Sequence, residues 1–381
     1  MSHHIYLDHQ ATTPLDSQVL DKMMPFLTTR FANASSAHEL GVENSAVVES
    51  SRRKIAKTIG AKSKEIIFTS GATESNNLAI LGLADTKEKG KIITVKTEHK
   101  CVLESCVKLR SAGFEIVYLD VDRHGFIDLK QLEKELSSDT ILVSIMYGNN
   151  ETGVLQPLRA ASELTKKYGV PLHCDATQSI GLLELDVEEL GVDMLTFSSH
   201  KIYGPKGVGA LYVKRSIKLS PLIHGGQQEK GIRSGTYNLA GIVGLEAALS
   251  LSKQKQESEY VRLKQLRATF LDKVNGLNYI CNTPLEDSLP HCLSLSLPGV
   301  NMQKMLPRLK RTVLSTGSAC NSADQKESHV LIAMGLGRDL ANSTIRISFG
   351  RSSTLEDVKI SAEEIINAAR KSMAGAVNEK S

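Results

Sequence analysis

The chain has 381 residues, 46 basic and 42 acidic side chains, a formal charge of +4, and 41% apolar and 23% charged residues. That length supports two or three domains around a large core, and the composition is that of an ordinary water-soluble globular protein. The weak, dispersed charge contains no basic block interleaved with aromatics, which argues against direct nucleic-acid binding, and no stretch approaches about 18 uninterrupted apolar residues, which argues against a membrane-spanning helix.

The first residues, Met1-Ser2-His3-His4-Ile5-Tyr6-Leu7-Asp8, show neither a basic region followed by an apolar one nor an Arg-rich amphipathic pattern, so a cytoplasmic protein is expected. Tyr6 to Pro14 reads as an extended entry segment, followed by a helix over about 16–27 with Asp16 as N-cap. Residues 31–38 are small and polar and predict a loop. A long helix is expected over about 41–59. Glu65-Ile66-Ile67-Phe68-Thr69 is a strand leading into Ser70-Gly71-Ala72-Thr73-Glu74-Ser75-Asn76-Asn77, a glycine turn that opens a helix. Small residues at a helix N-terminus after a strand form either a plain cap or an anion site, because free N–H groups and the helix dipole point outwards.

Further strands are predicted at 91–95, 114–119, 140–146 and 171–175, with helices after His99 and over about 129–136 and 158–167. The run from 140 to 146 is nearly continuous in apolar residues, as a buried parallel strand requires. From Glu65 to Val213 the alternation of strand and helix predicts an α/β fold with a doubly wound, largely parallel sheet. The Ser70–Asn77 turn, His99, Asn150 and the Asp175/Gln178 pair all fall at carboxyl ends of strands, the edge where such sheets place ligands. Met194-Leu195-Thr196-Phe197 and Val208 to Val213 flank Ser198-Ser199-His200-Lys201-Ile202-Tyr203-Gly204-Pro205-Lys206-Gly207, which places Lys201 at the tip of a strand–loop–strand unit. Residues 224–236 are Gly-rich and polar, and are expected to be too mobile for the core. A charge-rich helix over about 240–274 bridges into shorter strands at 292–297, 313–315 and 345–348 and a final helix from Leu355 to Ala374. A large cofactor-binding domain is therefore expected over 15–250, with a small α+β domain built from 1–14 and 251–381.

Asp175 lacks neighbours at metal-ligand spacing. Beside a pyridine ring it would keep the ring nitrogen protonated and make the ring an electron sink. Gln178 could donate to a ring oxygen, His99 could stack on the ring, Lys201 could supply an imine, and Ala72, Thr73, Ser198 and His200 could bind a phosphate. This set fits pyridoxal 5'-phosphate better than a nicotinamide or a nucleotide. Of the six scattered cysteines, none forms a C-x-x-C pair. Cys320 lies among small and polar residues, Leu314-Ser315-Thr316-Gly317-Ser318-Ala319-Cys320-Asn321-Ser322-Ala323, so it is expected on an exposed loop as the nucleophile. Cys292, by contrast, precedes an apolar run and reads as buried, while Cys101 and Cys106 read as packing residues in a helix. Arg346, inside an apolar strand, and Arg233 are candidate clamps for a substrate carboxylate, with a structural salt bridge as the competing role for Arg346.

These motifs, spread over nearly the whole chain, resemble the cysteine desulfurases of the NifS/IscS type. The resemblance rests on Tyr6-Leu7-Asp8 with Ala11-Thr12-Thr13, on Thr69 to Asn77, Thr97-Glu98-His99, Asn149-Asn150-Glu151-Thr152-Gly153, Asp175-Ala176-Thr177-Gln178, Ser198-Ser199-His200-Lys201, Arg233-Ser234-Gly235-Thr236 and Gly317-Ser318-Ala319-Cys320. It implies a fold-type I pyridoxal-phosphate enzyme of the class V aminotransferase family. The implied enzyme is a homodimer with a seven-stranded type of large sheet, converts L-cysteine to L-alanine, and hands sulfur to acceptor or scaffold proteins. By motif, Lys201 is implied as the Schiff-base lysine, Asp175 as the partner of the pyridinium nitrogen, Gln178 as the contact to the phenolic oxygen and His99 as the stacking residue. Ala72, Thr73, Ser198 and His200 are implied to bind phosphate, with Thr236 reaching the phosphate of the partner subunit. Asn150 and Arg346 are similar to residues that hold the substrate carboxylate, and Asn33 is grouped with them. Cys320 is similar to the persulfide cysteine; no intrinsic metal is expected, although Cys320 could transiently ligate an iron–sulfur cluster. His9-Gln10 departs from the two asparagines that many members carry. Iron–sulfur cluster assembly is the usual role of the family, tRNA thiolation is another outlet, and Asn33-Ala34-Ser35-Ser36 is similar to members serving DNA phosphorothioation. A selenocysteine lyase or another fold-type I aminotransferase-like enzyme is the alternative.

Overall fold

Apolar runs of four to seven residues become strands wherever both faces can be covered, and this chain covers them with its intervening helices. In the computed structural model, which describes residues 4–316 and 327–374, β1 (Ile5–Tyr6) opens the chain and the central sheet follows. That sheet consists of β2 (Ile66–Thr69), β3 (Lys91–Val95), β4 (Glu115–Leu119), β5 (Thr140–Met146), β6 (Leu172–Asp175), β7 (Met194–Ser198) and β8 (Gly209–Val213). The seven strands lie in the order β2-β8-β7-β6-β5-β3-β4. Only β8 runs against its neighbours, pairing antiparallel with both β2 and β7, so the largely parallel sheet expected from the alternation is observed. Two apolar cores cover its faces, one including Val95, Ile145 and Phe197, the other Ile92, Leu142 and Leu211.

A third core joins Ile5 and Leu7 to Phe270, Leu293, Ile347 and Ile365 around a second sheet. That sheet consists of β9 (Ile280–Cys281), β10 (Cys292–Ser296), β12 (Ser315–Thr316) and β13 (Thr344–Ser348), ordered β12-β13-β10-β9 and antiparallel. β11 (Thr312–Val313) pairs with β1 in parallel. The single strand expected over 313–315 is thus split in two, because its first half pairs with the entry segment and its second half with β13. The 35-residue helix Leu239–Lys273 spans both regions, with Leu245 and Leu249 in the core of the large sheet and Leu266 and Phe270 in the other. It crosses so close to the Lys201 turn that a side chain on Gly244 would meet Pro205 at 2.8 Å. Among the described residues, no helix is long and apolar enough to cross a membrane.

Residues 224–236 lie mostly outside the core, as their composition suggests, with Glu229 as a buried exception. Glu229 is buried and its carboxylate takes two 2.7 Å bonds from Arg52 and a 3.1 Å bond from the Phe68 amide. Arg52 also donates to the Ile66 carbonyl at 2.7 Å and lies over the Phe68 ring. Glu229 and Lys230 both take left-handed backbone angles, which non-glycine residues hold only when their surroundings impose it. Composition alone could not reveal this anchor, because its partner lies 177 residues away. Removing one member of such a buried pair strands the other charge in the core. Arg52→Met should therefore lower stability by about 3–5 kcal/mol in denaturant titrations, while the double change Arg52→Met with Glu229→Leu should recover much of that loss.

Candidate active site

The carboxyl ends of the parallel strands, the entry segment and β13 surround a cavity of about 530 Å³. Its wall includes Ala72, Thr73, His99, Asn150, Asp175, Gln178, Ser198, His200, Lys201 and Arg346. Strand-edge positions that the sequence places hundreds of residues apart therefore converge on one chamber. Asn33 does not line it: that residue is exposed, and its side chain accepts the Ser35 amide at 2.9 Å. Thr236 is also exposed and away from this wall. Cys320 lies outside the described residues.

Lys201 ends a short turn, Ser199–Lys201, directly after β7. Its ammonium donates to the carbonyls of Gln10 and of Ala11, the latter at 2.9 Å. Gln178 donates to the same Gln10 carbonyl at 3.1 Å. The turn is fixed from both sides. Thr13 bonds the His200 carbonyl through its amide and hydroxyl at 3.0 and 2.9 Å, and Tyr203, in a left-handed backbone conformation, lies under the Arg351 guanidinium at 4.1 Å. The Gln10 side chain bridges the two sheets, donating to the Asn149 carbonyl at 3.3 Å and accepting the Cys292 S–H at 2.8 Å. Cys292 is buried, as its apolar context predicts. The ring of His9 sits against Gly350, where a Cβ would come within 2.2 Å of it.

Asp175 ends β6 and is 5% exposed. Its carboxylate accepts the Asn76 side-chain amide at 2.6 Å and the Thr177 backbone amide at 2.9 Å. Opposite it, the helix Ala72–Ala84 begins after Gly71 with no side-chain cap, so its first amides face the cavity side undisturbed. Gly71 takes φ 149°, which favours glycine, and a Cβ on Gly209 of β8 would meet the Gly71 Cα at 2.7 Å. Two glycines thus let the turn lie close over β8.

Arg346 is 2% exposed and donates to Asp8 at 2.7 Å and to the Asn150 carbonyl at 2.9 Å. The second Asp8 oxygen accepts the Ser315 hydroxyl at 2.7 Å. Arg346 therefore has the ionic partner its apolar strand demands, yet its Nε and the nearby Asn150 Oδ1 are buried with no partner among the described residues. That leaves a donor and an acceptor beside the cavity for a ligand. Arg233, the other candidate clamp, is instead committed to Glu74, at 2.8 Å from its Nε.

Burial dominates the electrostatics. It pushes His99 below the ordinary histidine value, with Lys201, His329 and Lys100 acting in the same direction and Asp175 against. His200 is held down to about 4 by burial, then by Lys201 and Lys206. The Cys101 thiol, which also lines the cavity, is pushed up to about 12 by burial and then by Asp175. Cys106 lies in the apolar core of the large sheet and Cys101 packs against the same core, as expected of both, but Cys101 also reaches the cavity wall. Asp8, Asn76, Cys101 and the Gln10 carbonyl are the site groups that residue-type reasoning missed. A carboxylate in an entry strand and a polar side chain among apolar helix positions were the available signals.

Residues 5–360 match the family model described as aminotransferase class-V. Cysteine desulfurase IscS of Dictyoglomus turgidum is 47% identical over 364 residues, which are 94% of this chain and 92% of that protein. Putative cysteine desulfurase IscS 1 of Bacillus subtilis is 45% identical over 374 residues, 96% of this chain and 99% of that protein. Among solved structures, a NifS-like protein superposes with a TM-score of 0.91 at 39% identity, covering 96% of this chain and 98% of its own. SspA in complex with cysteine superposes with a TM-score of 0.81 at 38% identity, covering 90% of this chain and 98% of its own. The glycine contact under the Ala72 turn can be tested directly. Gly209→Ala should displace the Gly71 turn and lower stability by about 1–3 kcal/mol, read by denaturant titration.

Proposed function

The chain belongs to the class-V aminotransferase family, and from that premise we propose that it is a pyridoxal-phosphate-dependent cysteine desulfurase converting L-cysteine to L-alanine. The observation that carries this reading is the convergence on one cavity of an amine, a buried carboxylate, an uncapped helix N-terminus and a buried guanidinium: Lys201, Asp175, the Ala72 turn and Arg346. The residues fit pyridoxal phosphate, since the close glycine packing of Gly71 on Gly209 leaves the amides of Ala72 and Thr73 open to a phosphate. Lys201 would hold the aldehyde carbon, Asp175 the pyridine nitrogen, Gln178 the phenolic oxygen and His99 the ring face. Ala72, Thr73, Ser198 and His200 would hold the phosphate. When bound, the cofactor supplies an electron sink for the substrate Cα.

The chain's own groups do the rest. Arg346 receives the substrate carboxylate through its buried, unsatisfied Nε–H, and Asn150 assists by donating from its side-chain amide nitrogen, since its Oδ1 is an acceptor. Asp8 keeps the Arg346 guanidinium in place through the 2.7 Å contact. Lys201 Nζ takes the Cα proton and later returns one. The Cys320 thiolate attacks the substrate sulfur; an S–S bond forms as the Cβ–S bond breaks, and the proton given up by the thiol ends on alanine. Cysteine and a thiol thus become alanine and a persulfide with atoms balanced. The persulfide passes to acceptor or scaffold proteins of iron–sulfur cluster assembly or another thiolation pathway. Thr236, exposed and off its own cavity wall, is left for the phosphate of a second copy, which supports a homodimer.

The test is alanine formation from L-cysteine without any keto acid. Cys320→Ser should retain the visible absorption of the bound cofactor and lose alanine release to background, and Lys201→Ala should lose that absorption. Alanine release that requires a keto acid would indicate an aminotransferase. Turnover confined to selenocysteine would indicate a lyase. Persistent sulfide and alanine production by Cys320→Ser would remove Cys320 from the reaction.

A further inference from the structure

Cys101 does more than fill space on the cavity wall. The helix Lys100–Ser111 is capped by His99, whose Nδ1 accepts the Cys101 amide at 3.2 Å. A ring nitrogen that accepts an amide hydrogen carries none of its own, so in the neutral ring the hydrogen sits on Nε2. The Cys101 Sγ lies 3.0 Å from the same Nδ1. Only an S–H can serve that contact, and the two donors share the one lone pair. On its other side, Sγ accepts from the Asn76 side-chain amide at 3.1 Å. The second hydrogen of that amide goes to Asp175 Oδ2 at 2.6 Å. The orientation of Asn76 follows from its neighbour, because turning the amide over would set its oxygen against the carboxylate. Every donor in the series then has one direction: Asn76 to Asp175, Asn76 to Cys101, Cys101 to His99. Asn76 is fully buried, so no bulk water competes for these bonds.

We propose that Cys101 is a positioning residue for the desulfurase reaction, joining Asp175 through Asn76 to His99 and fixing His99 as a neutral ring with Nε2–H toward the cavity. The proposal rests on the functional reading above for its consequence in catalysis, but the hydrogen-bond chain stands on geometry alone. Burial keeps the thiol protonated, with its value pushed up to about 12, so the donor persists across physiological pH. His99 is faced by Asp175 at the end of β6, by Lys201 after β7, by His329 of the helix His329–Ala333, and by Lys100 on its own helix. Asp175 favours the charged ring and the three basic groups oppose it. A donor aimed at Nδ1 binds only the neutral ring. Its removal therefore raises the His99 pKa.

The experiment uses the full chain with ¹⁵N-labelled histidine, with pyridoxal phosphate added and without, as wild type, Cys101→Val and Cys101→Ser. In the wild type, His99 should report the neutral tautomer with hydrogen on Nε2 at neutral pH. Cys101→Val, which fills the same space without a donor, should raise the His99 pKa by about half to one pH unit, and Cys101→Ser should restore most of the difference. In the loaded enzyme, Cys101→Val should lower kcat for alanine release on the order of tenfold with KM for L-cysteine held within about twofold, and Cys101→Ser should recover part of it. Hydrogen on Nδ1 in the wild type, or coincident titrations of wild type and Cys101→Val, would overturn the proposal. If Cys101→Val does not fold, Cys101→Ala carries the same expectation. Wild-type protein that makes no alanine would defeat the desulfurase reading by itself, since the tautomer is still measured without the cofactor.

Discussion

The entry segment is the tie on which the site depends. Two sheets with separate apolar cores face each other across the cavity, and residues 7–13 are stitched to both. Leu7 accepts from Ser348 on β13 at 2.8 Å, Gln10 offers its carbonyl to Lys201 and Gln178, and Thr13 bonds the His200 carbonyl at 3.0 Å. A segment with little apolar area of its own thereby sets how the guanidinium of one sheet stands relative to the amine of the other. The Asp8–Arg346 contact is the electrostatic part of that tie. Two nearly buried charges cost several kcal/mol of desolvation each, and the pair persists because further bonds from Ser315 and to the Asn150 carbonyl satisfy what remains.

The same logic shapes the strand-end side of the cavity. A parallel sheet leaves its strand ends open, and polar groups collect there because the next backbone element is a turn rather than a strand. Each polar group must then be oriented by a second one. Asn76 and Thr177 orient Asp175, the Cys101 amide and thiol orient His99, and Thr13 and Tyr203 hold the turn of Lys201. The left-handed conformation of Tyr203 is a local cost at a working position, offset by the Arg351 guanidinium over its ring and by the Arg351 amide on its hydroxyl at 2.7 Å.

Much of this was legible in the order of residues. Apolar runs of strand length separated by amphipathic stretches dictate a layered α/β architecture, since both faces of each strand must be covered. The position of Lys201, Asp175, His99 and the Ala72 turn at strand ends follows from that alternation alone. Strand 313–315 was misread because its β-favouring residues run on without a break while its hydrogen-bond partners change midway. The 224–236 stretch stays mostly outside the core, but the buried Glu229 within it went unread because its partner Arg52 is remote in sequence.

By itself, then, the sequence determined the layered fold, the edge that carries chemistry and the family motifs, because periodicity and turn residues act over a few positions. Tertiary structure alone decided which charges pair. Arg346 was ambiguous between a clamp and a salt bridge, and it proves to be bonded to Asp8 while keeping an unsatisfied Nε at the cavity. Arg233 looked equally suited, and Glu74 occupies it. Cys101 and Cys106 stand five positions apart in one helix and both pack on one core, yet only Cys101 also meets a histidine. Such outcomes depend on distances between residues far apart in the chain, which no local pattern encodes.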